Sequence, residues 1–143
     1  MTHRLVFDEK DRIGEWVAAQ VDQTAHWGSF YAMGVEDHTG EILAGTVFNN
    51  WNGSNAYQHI AVARFTKKLP SMLWHGFIYA FEHCNLNRLT AVIDADNEKS
   101  LRLARHTGYV DEFVMQKAGA DGQDKIFLVM WPENCSQWLG KKL

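Results

Sequence analysis

Apolar residues between Asp11 and Val21 recur at spacings of three and four: Ile13, Trp16, Val17 and Val21 fall on one side of a 3.6-residue period. The spacing predicts a helix over 11–21, with Asp8 or Asp11 placed to cap its start. A polar loop follows over 23–28. The pattern then turns to short runs rich in aromatic and β-branched residues, separated by polar clusters. These runs predict strands over 29–35, 42–48 and 57–63. The first break, Glu36–Asp37–His38–Thr39–Gly40, reads as a hairpin turn; the second, 49–55, is unusually rich in Asn.

From Pro70 the helical period returns. Leu73, Phe77, Ala80, Phe81 and Cys84 form one apolar stripe, predicting a helix over 70–84 that opens on a proline tolerated in its first turn. Residues 89–93 form a short apolar strand. Having a helix before it, that strand is expected to pair in parallel with 57–63 through a right-handed crossover. A helix over 98–106 stops at Gly108. Strands over 109–116 and 126–131 flank a turn at Gly119–Ala120–Asp121–Gly122, and the tail 132–143 reads as a short turn with Trp138 packed back. The expected fold class is α/β, in the mixed α+β sense: six or seven strands and three helices in a single domain over 1–143.

Composition narrows the functional classes. The chain has 143 residues, 46% of them apolar, and a net charge of −3. That supplies a real core and lacks the basic field expected of a nucleic-acid binder. The two cysteines, Cys84 and Cys135, have no metal-ligand spacing and read as buried thiols in a reducing compartment. With no recognisable leader and no membrane-length apolar run, the expectation is a cytoplasmic protein without metal or membrane partner.

The most informative stretch is Asn97–Glu98–Lys99–Ser100, leading through a short helix to Thr107–Gly108–Tyr109. An Asn and a Ser three apart, opening a helix after a parallel-type strand, make a small polar platform. With Tyr79–Ala80–Phe81, Asn87–Arg88–Leu89, Asp121–Gly122 and the strand Phe127–Leu128–Val129–Met130, in this order and spacing, the chain over 40–131 resembles the GNAT superfamily of acyl-CoA-dependent N-acetyltransferases. It is most similar to the branch that acetylates protein N-termini and ribosomal proteins, including compact forms carried by bacteriophages.

The resemblance implies a splayed pair of parallel strands, 57–63 and 89–93, admitting the pantetheine arm of acetyl-CoA against the backbone of Ala61, Val62 and Ala63. It also implies a pyrophosphate loop with the pattern Arg or Gln, two residues, Gly, one residue, then Gly or Ala. Here that loop is Arg64–Phe65–Thr66–Lys67–Lys68–Leu69. Arg64 matches, but Lys67 and Leu69 stand where glycines are expected, and Pro70 removes a further amide. Arg64, Thr66, Lys67, Lys68 and Leu69 are the candidate cofactor contacts of the loop; the resemblance adds Asn97 at the pantetheine arm, Ser100 on the diphosphate side and Arg105 at the cofactor end. The alternatives are a solvated basic loop, an ordinary helix cap at Asn97 and surface charge at Arg105.

For catalysis, the strand that commonly carries a carboxylate offers His59 instead, and Asp94 lies at the carboxyl end of the next strand. The tyrosine that often acts as acid in the family falls on Ala104 and is absent. His26, Trp27 and Trp51 are the candidate acceptor-binding residues. The implied reaction is direct attack of a primary amine, on a small molecule, peptide or protein, on the acetyl thioester, by a monomer or homodimer. The alternative is a non-catalytic structural or interaction protein of the same fold, which the altered loop favours.

Overall fold

A computed structural model describes residues 2–21 and 26–135. Trp138 and residues 23–25 of the expected 23–28 loop lie outside these. The elements run β1 (Arg4–Val6), α1 (Lys10–Val21), β2 (Phe30–Glu36), β3 (Ile42–Asn49), β4 (Asn55–Val62), α2 (Leu69–Ile78), β5 (Arg88–Asp94), α3 (Glu98–Thr107), β6 (Val110–Met115) and β7 (Lys125–Met130). They build one seven-stranded sheet in the order β1-β2-β3-β4-β5-β7-β6. β4 and β5 are parallel; every other neighbouring pair is antiparallel. The predicted hairpin, crossover and closing hairpin are all present.

Two elements depart from the sequence reading. β1 was not anticipated, because three residues are too few to display a period. The helix predicted to 84 keeps its α form only to Ile78 and continues as a π-helical turn, Tyr79–His83, closed by the Cys84 amide on the Tyr79 carbonyl at 2.9 Å. Among the described residues, no helix is long and apolar enough to cross a membrane.

α1 packs on one face of the sheet, chiefly over β2, β3 and β4. Ile13 and Val17 are fully buried there, each worth roughly 1.5–3 kcal/mol of transfer free energy. The close seat needs a glycine opposite: a Cβ on Gly45 would stand 2.8 Å from Val17 Cγ2. The other face carries the larger core, where Met72, Leu73 and Phe77 of α2 and Leu101 and Ala104 of α3 pack on Phe48, Leu89, Leu128 and Met130.

α3 has strong local punctuation. Asn97 caps its start, its side chain accepting the Ser100 amide at 3.2 Å, and Gly108 ends it at φ 120°. A Cβ on Gly108 would lie 2.5 Å from the Asn134 carbonyl oxygen. Both the backbone conformation and the space therefore exclude a side chain. Gly108→Ala should cost more than about 2 kcal/mol in urea unfolding; a loss under about 0.5 kcal/mol would contradict this account of the stop.

Candidate functional site

β4 and β5 pair only at Asn55–Arg88, Ala56–Leu89 and Tyr57–Thr90. Beyond that point they part. β4 continues along β3 to Val62, and β5 continues along β7 to Asp94. Each strand keeps an antiparallel partner on its outer flank, so the fork costs no pairing there. It opens two inner edges onto a gap.

The register decides which backbone groups face that gap. The Ala63 amide donates to Leu43 O at 2.9 Å. In an antiparallel pair the groups turned toward the partner alternate with groups turned away. Ala63, Ala61 and His59 therefore turn toward β3, while Ile60 and Val62 present their N–H and C=O to the gap. Of the expected residues, Val62 faces the gap, Ala61 and Ala63 turn to β3, and Ile60 faces the gap beside Val62. Half-buried Ile60, Val62, Leu69 and Ile93 supply apolar side chains beside the opening.

Polar groups brace the fork on both faces. Behind it, the buried Tyr109 hydroxyl donates to Gln58 Oε1 at 2.6 Å, and Gln58 Nε2 donates to Thr46 Oγ1 at 3.2 Å. Burial pushes the Tyr109 phenol well above its usual value, which keeps it a donor. On the α1 side, Arg88 Nη2 donates to Thr90 Oγ1 at 3.1 Å, and Thr90 Oγ1 donates to Asn55 Oδ1 at 2.7 Å. None of this was legible as a site in the sequence, because the members are spread over β3, β4, β5 and the segment after α3.

The loop at 64–69 is tied up internally. Arg64 turns its guanidinium to Asp37, at 3.3 Å, and to Glu41. Its amide donates to Leu43 O at 3.3 Å. Thr66 is buried, its Oγ1 accepting the Lys68 amide at 3.1 Å and meeting His3 Nδ1 at 3.0 Å. The Leu69 amide donates to Thr66 O at 3.3 Å. The amides of Arg64, Lys68 and Leu69 are thus spent inside the protein, and Leu69 packs on the core. The exposed side chains of Lys67 and Lys68 flank the start of α2.

Across the groove Asn97 and Ser100 form the helix cap described above. Arg105 makes a two-point ion pair with Asp111, at 3.0 and 2.7 Å, and so is held on the β6 side of α3. Asp94 accepts from Lys125 Nζ at 2.8 Å and Gln123 Nε2 at 2.9 Å. Chiefly through the Lys125 hydrogen bond, its carboxyl sits below the usual value, which suits a fixed anion better than a base.

On the α1 face His59 and Trp27 come together, with ring centroids 4.6 Å apart. Asn49 joins them: its Nδ2 donates to Trp27 O at 3.3 Å, and its Oδ1 accepts from His59 Nε2 at 2.9 Å. That orientation leaves Nδ1 as the accepting nitrogen of a neutral imidazole. His26 is exposed in the loop before Trp27. Trp51 is not part of this group; it packs behind the sheet, 5.9 Å from Tyr79 and 6.3 Å from Phe48. Two concavities lie apart from the fork. One, of about 420 Å³, is at the β2–β3 turn; the other, of about 330 Å³, is beside α1.

No protein-family model matches the chain, and no curated protein matches it in sequence. Solved structures do. A point mutant of the spermidine N-acetyltransferase SpeG from Vibrio cholerae superposes with a TM-score of 0.73 at 14% identity, covering 96% of each chain. The spermidine/spermine N-acetyltransferase SpeG from the same organism, in complex with manganese ions, gives 0.70 at 14% identity, over 99% of this chain and 96% of that one. A chimera of Vibrio cholerae SpeG and hSSAT gives 0.69 at 15%, over 97% and 99%. The mixed sheet with its forked parallel pair is the architecture of the GNAT acetyltransferases.

Burial lowers the His59 pKa from 6.5 to about 4. Above 6.5 neither the folded nor the unfolded chain protonates this ring. As pH falls from there the unfolded chain gains the proton first, so stability declines, and the loss is complete below about 4. Unfolding midpoints at pH 7 and pH 5 should therefore differ more in the native protein than in His59→Asn. Equal differences would contradict a buried neutral imidazole.

Proposed function

We propose that this protein is an acetyl-CoA-dependent N-acetyltransferase acting on a primary amine. The observation that carries the reading is the fork, with the backbone of Ile60 and Val62 turned into an apolar-walled gap. A thioester arm laid there meets donors and acceptors at strand spacing. An N–H of β4 is placed to polarise the acetyl carbonyl, the interaction that grows as charge develops on oxygen.

The amine nitrogen attacks the carbonyl carbon, the C–S bond breaks, and the thiolate takes up the proton the amine gives away. His59, neutral and on the acceptor side, is suited to holding the amine or a water through Nδ1; with a pKa of about 4 it is a weak base. Asp94, locked to Lys125, serves better as a fixed charge.

The diphosphate end departs from the family's usual loop. With three amides spent internally, phosphate binding falls to the Lys67 and Lys68 side chains and the start of α2. Asn97 and Ser100 lie on the opposite wall in this reading. The resemblance to polyamine acetyltransferases supports an amine acceptor. The sequence motifs point instead to the N-terminal and ribosomal-protein branch, and to a phage-borne form; both finer assignments remain part of the proposal, as does a cytoplasmic setting in keeping with two free cysteines. One observation favours a second reading, a non-catalytic protein of this fold: the same consumption of loop amides.

Calorimetric titration with acetyl-CoA separates the two. The transferase reading expects saturable binding, weakened about tenfold in a Lys67→Ala/Lys68→Ala double variant, together with amine-dependent release of free thiol. Binding weaker than roughly millimolar, with no thiol release, would leave the non-catalytic reading.

A further inference from the structure

Among the described residues, no helix packs on the α1 face of the sheet beyond the fork. The register carries one face from Tyr57 to Thr90, Val129 and Val110, and the next row from His59 across the gap to Val92, Phe127 and Phe113. α1 stops at β4. On the uncovered half Phe113 stacks on Phe127, ring centroids 4.4 Å apart and planes at 16°, and Phe113 remains 48% exposed. Val110 and Met115, 44% and 45% exposed, extend the shelf along β6.

Two ion pairs lie on this face within the chain: Arg88 with Glu112 at 2.7 Å and Lys125 with Asp94 at 2.8 Å. Arg88 also lies over the Trp131 ring, 5.4 Å from its centroid. A polycation landing here meets carboxylates, Glu112 and Asp94, that already hold cations of the chain. Asp11 and Glu15 line the separate concavity beside α1 instead.

We infer that the shelf selects the acceptor: a primary amine on a single flat apolar body, an arylalkylamine in chemical class, not a polyamine. The inference rests on the transferase reading for what happens to the amine. Adjacent strands are about 5 Å apart, so the Phe127 and Phe113 rings stand roughly 5–10 Å beyond β5. An amine nitrogen held at the fork therefore places an aromatic group on a two- or three-carbon linker against them. The occupant is neutral apart from its amine, matching a face whose own charges cancel.

The test uses the full chain and the variants Phe113→Ala and Phe113→Asp. Phe113 is on an edge strand and outside the buried core, and circular dichroism with urea midpoints confirms folding. Thiol release from acetyl-CoA is followed with phenethylamine, propylamine and spermidine, and phenethylamine binding is measured separately by calorimetry. Phenethylamine should show the lowest KM, and Phe113→Ala should raise it by about threefold to tenfold without altering the Kd for acetyl-CoA. Preference for spermidine, or a KM unmoved by Phe113→Ala, overturns the inference. So does a sedimenting dimer that Phe113→Asp dissociates, since a second copy would then cover the shelf. If phenethylamine binding falls in Phe113→Ala yet acetyl-CoA does not bind, the shelf stands and the transferase reading fails.

Discussion

The structure depends on a parallel strand pair that is allowed to come apart. A parallel pair buried in mid-sheet normally keeps its ladder, because unpaired backbone groups are costly away from water. Here β4 and β5 hold for three residue pairs and then diverge, each stabilised by an antiparallel neighbour on its far side. The divergence leaves backbone donors and acceptors of β4 pointing into a gap instead of a neighbouring strand. A ligand with amides at comparable spacing is the natural complement of such an edge.

A fork is useful only if it neither closes nor widens. The hydrogen bonds from Tyr109 through Gln58 to Thr46 brace it behind, and those from Arg88 through Thr90 to Asn55 brace it in front. The buried hydroxyl and carboxamide are fully engaged, and no buried side-chain polar atom among the described residues lacks a partner. The fork also divides the α1 face into a covered half, where His59, Asn49 and Trp27 lock together, and an open aromatic half. The gap is bordered on one side by fixed polar groups and on the other by an apolar shelf.

Much of the fold was legible in the chain. The change from strand runs to the apolar stripe of α2, the short strand 89–93, and the cap and stop at Asn97 and Gly108 together specify the crossover. These are local signals, and local physics produces them. The site was less legible, because its decisive property is a register. Nothing in 57–63 says that Ile60 and Val62, not Ala61 and Ala63, turn their backbone to the gap; the bond from Ala63 to Leu43 decides it. Arg64 matched the loop pattern, yet Asp37 and Glu41, more than twenty residues earlier, claim its side chain. Trp51, in the Asn-rich turn, is expected in the same groove as Trp27, and the sheet places it on the opposite face. Tyr109 closed the motif at 107–109, but its bond to Gln58 was not legible, since that partnership spans the fold.

The central claim is that the inner edge of β4 receives the acyl-CoA arm. Backbone amide NMR during titration with desulfo-CoA, which lacks the thiol and cannot turn over, tests it directly. Saturable shifts concentrated at the Ile60 and Val62 amides, with much smaller ones at Ala61 and Ala63, are the expected result. Saturation without those two amides moving, or shifts confined to the Lys67–Lys68 surface, would contradict it.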